Sequence, residues 1–286
     1  MMGENNVPES KFVQANGLRL HYLDWGNPAG QPVVMLHGIR LHAHCWNDFS
    51  RRLGGRYRVI ALDARGHGDS DWSPERDYSL DTLCEDLAAV LGAQDLPPAL
   101  VIGHSMGART AMLYTHLHPT QVARLVLVDM GPALPESIAK IDFSRVTQTA
   151  PPKDFASHEE ATDYLAAILR LAPREMVVES VVHGMRQRED GRYVWKYDPA
   201  LSGPPRPAPG EREWDLWEAA LAISCPTLLL HGENSGVVTP EIAARMGSEM
   251  KDCRVEMVKN AGHALFTEQP AVFAESVERF FTSAAR

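Results

Sequence analysis

The stretch at residues 100–114, LVIGHSMGARTAMLY, decides the fold of this chain. It opens with an apolar run that is typical of a buried strand, and it continues into residues 103–107, GHSMG. Apolar residues then recur at helical spacing. We therefore predict a strand, a sharp turn and a helix, with Ser105 at the apex of the turn. The helical positions are Ala108, Ala111, Met112 and Leu113.

The two glycines that flank Ser105 suit a strained turn of this kind. A glycine two places before and two places after the serine lets the backbones of strand and helix pass close together. The serine hydroxyl is then exposed at the positive end of a helix. Such a strand-to-helix turn is a nucleophile elbow, and it predicts that Ser105 is a catalytic nucleophile. The alternative is a chance G-x-S-x-G match in a glycine-rich loop.

Other short apolar strands alternate with helical patterns on both sides of the elbow. This alternation predicts an α/β fold with a mostly parallel central sheet flanked by helices. In such a sheet, ligands bind beyond the carboxyl ends of the strands. Polar residues that directly follow strands are therefore expected along one edge. The predicted strands cover residues 18–25, 33–36, 57–63, 100–102, 125–128, 226–231 and 254–258.

The strand pattern mostly vanishes between Pro132 and Leu221, where helical spacing and a proline-rich loop at 203–210 take its place. We interpret residues 132–221 as a helical cap inserted after the sixth strand. The α/β core would then comprise residues 1–131 and 222–286. Aromatic residues of the cap are candidates for substrate contact, with ordinary packing as the favoured alternative. They are Trp195, Tyr197, Trp214 and Trp217.

Composition limits the classes of partner. The chain has 286 residues, 44% hydrophobic content and a formal net charge of -9, which argues against a nucleic-acid partner or an acidic membrane surface. The polar N-terminus lacks the apolar segment of a signal peptide, and the four cysteines form no C-x-x-C pair. We expect a cytoplasmic monomer or homodimer that acts on a small molecule and needs no cofactor and no metal.

A serine hydroxyl needs a base to take its proton and an acid to orient that base. His263 is the best candidate base because it follows the last strand and its ordinary pKa lies near neutrality. Three carboxylates follow strands and are candidates for the acid: Asp63, Asp129 and Glu233. Each is equally compatible with a role as a turn or cap residue.

Four motifs in order resemble those of the α/β-hydrolase fold superfamily. They are HGI at 37–39, DARGHGDS at 63–70, GHSMG at 103–107 and AGH at 261–263. The resemblance covers nearly the whole chain outside the cap. It implies the α/β-hydrolase fold and a Ser-acid-His order along the chain. It also implies that Asp63 is structural.

The resemblance bears on the choice of acid. Most members carry the acid after the strand that follows the cap, but Ser235 and Gly236 occupy the expected places here. A subset carries it one strand earlier, in a D-x-G/A-P motif, which residues 129–132, DMGP, match. The resemblance therefore assigns Asp129 as the acid, with Glu233 as the alternative.

The oxyanion of a tetrahedral intermediate needs two backbone donors. Met106, directly after the nucleophile, is expected to provide one N–H, and the resemblance implies that Ile39 provides the other. Arg40 and His42 follow this loop and are candidate contacts for a substrate carboxylate, together with His44 and the cap residues Arg145 or Arg170. Solvated surface charge is the favoured alternative for these groups.

A serine nucleophile is unlike the aspartate used by the epoxide hydrolases and dehalogenases of the superfamily. We predict a serine hydrolase that cleaves a carboxylic ester or lactone through an acyl-enzyme. An amide or C–C hydrolase acting on a carboxylated ring-cleavage product is one alternative, and a non-catalytic ligand receptor on the same fold is another. A cofactor-free oxygenase or perhydrolase would depend less on Ser105.

Overall fold

The computed structural model describes residues 7–135, 152–202 and 212–283. Arg145 and the proline-rich loop at 203–210 lie outside these ranges. The strands are β1 Glu9–Ala15, β2 Leu18–Asp24, β3 Gln31–Leu36, β4 Tyr57–Leu62, β5 Ala99–His104, β6 Val122–Val128, β7 Met185–Gln187, β8 Tyr193–Trp195, β9 Thr227–Gly232 and β10 Cys253–Val258. The helices are α1 Asn47–Leu53, α2 Leu80–Ala93, α3 Met106–Leu117, α4 His158–Ile168, α5 Arg174–Gly184, α6 Leu216–Ala222, α7 Pro240–Glu249, α8 Leu265–Glu268 and α9 Pro270–Thr282.

Eight strands form one sheet in the order β1-β2-β4-β3-β5-β6-β9-β10. The pairs β1–β2 and β2–β4 are antiparallel, and every other pair is parallel. This topology confirms the predicted α/β-hydrolase fold. The parallel strands β3, β4, β5, β6 and β9 all end at one edge, and the residues that follow them begin the loops of the site.

The central strands are apolar throughout because both faces of the sheet are covered. Their side chains alternate between two hydrophobic cores. Helices α2, α3, α6 and α7 pack over one face, with Leu87 and Met112 fully buried there. Helices α1 and α9 cover the other face, where Trp46 and Phe273 pack at the centre of the core. The sheet is thus a rigid platform for the loops at its edge.

The described part of the insertion between β6 and α6 contains helices α4 and α5 and an antiparallel hairpin, β7–β8. The cap therefore contains a short hairpin besides the predicted helices. Each hairpin strand has only three residues, which is too short for an alternating pattern to stand out. The hairpin and the two helices enclose a small core of their own, formed by Phe155, Ala161, Val181 and Met185.

Within the described ranges, none of the helices has the length and apolar character needed to cross a membrane. The four cysteines are free thiols, as expected from their spacing. Burial raises the pKa of Cys84 to about 12, which makes it a poor nucleophile at neutral pH.

Candidate active site

Ser105 occupies the turn between β5 and α3 in a strained conformation. Its φ of 52° and ψ of -115° are rarely adopted by a residue with a side chain. Its N–H donates to the carbonyl of Val128 at 3.2 Å, and its own carbonyl accepts from the N–H groups of Ala108 and Arg109. The sheet and the first turn of α3 together hold the serine at the apex, with only 8% of its surface exposed.

Glycine is required on both sides of Ser105 by close packing of the main chain. A Cβ on Gly103 would overlap the carbonyl of Gly107, and a Cβ on Gly107 would overlap the carbonyl of Leu36 in β3. The helix therefore rests directly against two strand ends. This contact explains why the G-x-S-x-G pattern identified the elbow so well.

Asp129 follows β6 and is completely buried. Its backbone has a φ of 49°, and its N–H donates to the carbonyl of Leu230 at 2.7 Å. The N–H of Gly232 donates to Oδ1 at 3.0 Å. Oδ2 lies 2.7 Å from Nδ1 of His263 and also accepts the hydroxyl of Ser235.

The loop that carries His263 is held against the end of β9. Asn234 donates its N–H to the carbonyl of Ala261 at 2.8 Å, and a Cβ on Gly232 would overlap the carbonyl of Gly262. His263 itself is 39% exposed at its side chain. With Nδ1–H donating to a carboxylate, the Nε2 lone pair remains free to accept a proton.

His104 connects the elbow to this loop. Its Nε2 lies 2.9 Å from the carbonyl of His263, and the two rings are 4.6 Å apart. Burial lowers the pKa of His104 well below its ordinary value, so the ring is neutral and its Nε2–H donates. No hydrogen bond joins Ser105 Oγ to His263 among the residues that the structure describes. Contacts of this kind commonly tighten only when substrate is bound.

The loop after β3 lies beside the elbow. Gly107 donates its N–H to the carbonyl of His37 at 3.1 Å, and a Cβ on Gly38 would be only 3.2 Å from Cβ of Ser105. Across the described residues, the N–H groups of Ile39 and Met106 have no acceptor in the protein. Both belong to segments that border the serine, as an oxyanion hole requires.

His37 shapes this loop. Its Nε2 accepts the N–H of Ala64 at 3.0 Å, so Nδ1 carries the proton and donates to the carbonyl of Gly38 at 2.7 Å. Burial lowers its pKa, and the ring therefore stays neutral. The turn at Gly38 is thus fixed by an uncharged side chain.

The other two candidate acids serve different contacts. Glu233 is exposed and accepts the N–H of Asn260 at 3.0 Å. Asp63 is buried, accepting from His21 Nδ1 at 2.7 Å and from the N–H groups of Ala43 and Asp69. Burial is the largest single influence on the pKa of Asp63 and acts to raise it, but the hydrogen bonds from His21 and Asp69 and the neighbouring charge together outweigh burial and lower the pKa of this carboxyl. Of the three carboxylates, Asp129 is the one hydrogen-bonded to His263.

The only group of three potential metal ligands in the described ranges is His21, Asp63 and Asp69. The contacts just given already satisfy Asp63. Oδ1 accepts from one backbone N–H, and Oδ2 accepts from another and from the imidazole. This cluster is therefore complete as a structural network.

The candidate substrate contacts after the oxyanion loop separate into two kinds. Arg40 is half-buried, has a φ of 62° and lies close enough to Tyr197 to affect its titration. His42 is buried, and its Nε2 donates to the carbonyl of Ser180 in α5 at 2.9 Å. The structure therefore places His42 at the junction between core and cap, and a role of His42 in substrate contact stays a prediction. His44 lies there too, with its ring stacked 3.7 Å from that of His183.

The two predicted tryptophan contacts pack against protein. Trp195 lies on β8, edge-on to Phe155 at 5.5 Å between ring centroids, within the small core of the cap. Trp214 packs against the main core and donates its indole N–H to Asp81 Oδ1 at 2.6 Å. These contacts match the packing alternative, and a role of either residue in substrate contact stays a prediction.

Two residues of the site were not predicted as such. Ser235 was noted only because it occupies the place of an expected acid, and its hydroxyl donates to Asp129. Gly232 was not noted at all, although its N–H and its lack of a Cβ position both Asp129 and the loop of His263. Its place at the end of β9, directly before the loop that holds Glu233 and Ser235, is the signal that could have identified it.

With this geometry established, comparison with known proteins is informative. A family model described as alpha/beta hydrolase family matches residues 33–276. The chain belongs to the alpha/beta hydrolase family. This assignment agrees with the topology and with the motifs around Ser105 and His263. Its curated relatives include an esterase, a diacylglycerol lipase and a deformylase, and this α/β hydrolase is accordingly a hydrolytic enzyme.

Two curated relatives of this α/β hydrolase act on different bonds. The chain is 30% identical over 277 residues to the esterase Rv0045c of Mycobacterium tuberculosis, covering 95% of this chain and 88% of that protein. It is also 30% identical over 263 residues to N-formylmaleamate deformylase of Pseudomonas putida, covering 88% and 89% of the two chains.

A solved structure of E-2-(acetamidomethylene)succinate hydrolase is similar to the whole fold. It superposes on this α/β hydrolase with a TM-score of 0.86 and 25% sequence identity. The match covers 96% of this chain and all of the other. The arrangement of sheet, helices and insertion is therefore shared with a hydrolase of known structure.

Proposed function

We propose that this α/β hydrolase is a serine hydrolase that cleaves a small-molecule carboxylic ester or lactone through an acyl-enzyme. Ser105 is the nucleophile, His263 the general base and acid, and Asp129 the carboxylate that orients the histidine. The observation that carries the proposal is the hydrogen bond from His263 Nδ1 to the buried Asp129, beside a strained elbow. The esterase Rv0045c supports the choice of ester among the possible bonds.

The first half of the reaction forms the acyl-enzyme. Ser105 Oγ attacks the substrate carbonyl while its proton passes to Nε2 of His263. The negative charge that develops on the carbonyl oxygen is stabilised by the N–H groups of Ile39 and Met106. Loss of one such donor typically costs about 3 kcal/mol of transition-state stabilisation. The imidazolium then donates its proton to the leaving alkoxide as the C–O bond breaks.

The second half regenerates the enzyme. Water replaces the alcohol, gives a proton to Nε2 of His263 and attacks the acyl carbon through the same oxyanion site. The imidazolium returns the proton to Ser105 as the ester to the enzyme breaks. Asp129 stays ionised throughout and stabilises each imidazolium. No step needs a group from outside the chain other than water.

The direct test is hydrolysis of p-nitrophenyl esters from acetate to decanoate by the wild type, Ser105→Ala and the exposed control Ser248→Ala. We expect turnover by the wild type and the control, and a fall of about 10⁶-fold in kcat for Ser105→Ala. A fluorophosphonate probe should label Ser105 alone, which mass spectrometry would localise. Retention of a tenth of the activity by folded Ser105→Ala would refute the proposal.

A second candidate, hydrolysis of an amide that carries a carboxylate, is favoured by Arg40. This cation directly follows Ile39, the proposed oxyanion donor, and no carboxylate pairs with it among the residues that the structure describes. Arginine binds carboxylates through two parallel hydrogen bonds. The names of two relatives, N-formylmaleamate deformylase and E-2-(acetamidomethylene)succinate hydrolase, describe amides of dicarboxylic acids.

The two candidates make different predictions for Arg40→Gln. If a substrate carboxylate binds there, KM for carboxylated substrates rises about tenfold or more, and KM for neutral esters stays constant. Arg56→Gln is the matched control, since Arg56 precedes β4 and so lies at the opposite edge of the sheet. An unchanged ratio of the two KM values would leave the neutral ester as the better assignment. Binding of either substrate class without any turnover would instead indicate a receptor.

A further inference from the structure

The Asp129 carboxylate has a second partner on the same oxygen that faces the histidine. Oδ2 accepts both His263 Nδ1–H and the hydroxyl of Ser235, while Oδ1 accepts the N–H of Gly232. Because Asp129 is fully buried, no solvent replaces a donor that is lost. The three donors therefore fix the plane of the carboxylate.

Ser235 is itself held in one orientation. It closes a turn after β9, in which its N–H donates to the carbonyl of Gly232 at 3.1 Å. The N–H of Val237 donates to its Oγ at 3.2 Å. A serine hydroxyl has one hydrogen, and an ionised carboxylate can only accept. The Val237 contact uses a lone pair of Oγ, and so the hydrogen points to Asp129.

We propose that Ser235 is a positioning residue for hydrolysis, whose hydroxyl holds Oδ2 of Asp129 in line with Nδ1 of His263. This inference rests on the proposed function, since it acts through Asp129 and His263 and makes no contact with substrate. Without the hydroxyl, the carboxylate is held only by the N–H of Gly232 at Oδ1 and by the imidazole that it should orient, so Oδ2 can shift about the Gly232 contact. The imidazole is then less well oriented for taking a proton from Ser105.

The energetic scale follows from the charge of the acceptor. A hydrogen bond to a charged group contributes more than one between neutral partners. Loss of the hydrogen bond from Ser235 to Asp129 corresponds to a fall of about tenfold to hundredfold in kcat. Because Ser235 acts on the base and not on substrate binding, KM should stay within about twofold.

The experiment is a double-mutant cycle on p-nitrophenyl acetate with Ser235→Ala, Asp129→Asn and the combination of both. We expect Ser235→Ala to lower kcat in the wild-type background and to have no further effect on Asp129→Asn. Ser235→Thr keeps a hydroxyl and should retain at least half of the wild-type kcat. Ser235→Cys, a weaker donor, should fall between Thr and Ala. Ser248→Ala is the control for loss of a serine hydroxyl.

The outcomes separate this inference from the proposed function. If Ser105→Ala and Asp129→Asn lower kcat as expected and Ser235→Ala does not change it, the positioning role is refuted and the serine hydrolase stands. Equal losses for Ser235→Ala and Ser235→Thr, or a loss that persists in the Asp129→Asn background, would indicate a merely structural role. If folded Ser105→Ala stays active, the proposed function fails first. The low-field proton resonance of His263 Nδ1–H should also move in Ser235→Ala and not in Ser248→Ala.

Discussion

Replacing Asp129 with asparagine changes one atom and should stop catalysis. The buried carboxylate accepts three donors, from Gly232, Ser235 and His263. If the amide oxygen of the introduced asparagine takes the place of Oδ1, its NH₂ group takes the place of Oδ2. That NH₂ group then faces two donors, the hydroxyl of Ser235 and the Nδ1–H of His263. The imidazole must then move its proton to Nε2 so that Nδ1 can accept. In that tautomer Nε2 has no lone pair for the proton of Ser105.

The opposite orientation of the amide does not remove the conflict. Its NH₂ would then face the N–H of Gly232 and leave a buried donor unsatisfied, which costs about 1–3 kcal/mol. The favoured state therefore carries the wrong histidine tautomer. A change of this kind lowers kcat by about 10⁴-fold, or about 5.5 kcal/mol of barrier height. We expect KM to change little, because Asp129 is buried behind the histidine.

The assay is kcat for p-nitrophenyl acetate at pH 7.5, with circular dichroism and the thermal midpoint to verify folding. Glu233→Gln is the matched control, because Glu233 is exposed and bonded to Asn260, and its kcat should stay within about twofold of the wild type. A fall of less than tenfold in correctly folded Asp129→Asn would refute the reasoning. So would an equal fall in Glu233→Gln, which would move the acid to the loop after β9.

Three further predictions concern the loops and the core around the site. Gly38→Ala places a Cβ 2.6 Å from Nδ1 of His104, so the His104 ring must move. We expect this displacement to lower kcat by about 10²-fold in the same ester assay. An unchanged kcat would contradict this prediction. Arg65→Met leaves the buried carboxylate of Asp86 without its bidentate partner. The free energy of unfolding, measured in urea, should fall by about 3–5 kcal/mol. A fall below about 1 kcal/mol would show that this ion pair contributes little to stability. Burial lowers the pKa of His42 to about 4, so between about pH 6.5 and pH 4 the unfolded chain binds a proton that the folded chain does not. Stability should be full above that window and fall as pH falls through it, and His42→Gln should flatten this part of the thermal midpoint–pH curve; a slope equal to that of the wild type would oppose the assignment.

The elbow could be predicted from sequence because everything that defines it is local. Gly103 and Gly107 are required by contacts within the same strand-turn-helix unit and with the adjacent strand. The sheet was predictable for a similar reason, since strands buried on both faces must be apolar along their whole length. The order of the strands and the two antiparallel pairs at one end came from the structure.

The choice of acid depended on contacts between distant segments. Asp129 and His263 are 134 residues apart, and no spacing rule selects one carboxylate from three that all follow strands. His42 illustrates the same limit, because its partner Ser180 is 138 residues away on the cap. A polar residue beside an oxyanion loop is equally compatible with substrate binding and with cap docking until the cap is placed.

The left-handed backbone at Ser105, the proposed nucleophile, has a consequence for how this protein can evolve. A conformation of this kind costs about 1–3 kcal/mol for a residue with a side chain, and glycine would relieve most of it. Selection for stability alone would therefore remove the serine. A duplicated copy that no longer needed turnover would gain stability by exchanging Ser105 for glycine. A later return to serine would cost that stability again. The strained turn thus makes the loss of catalysis easy and its return difficult.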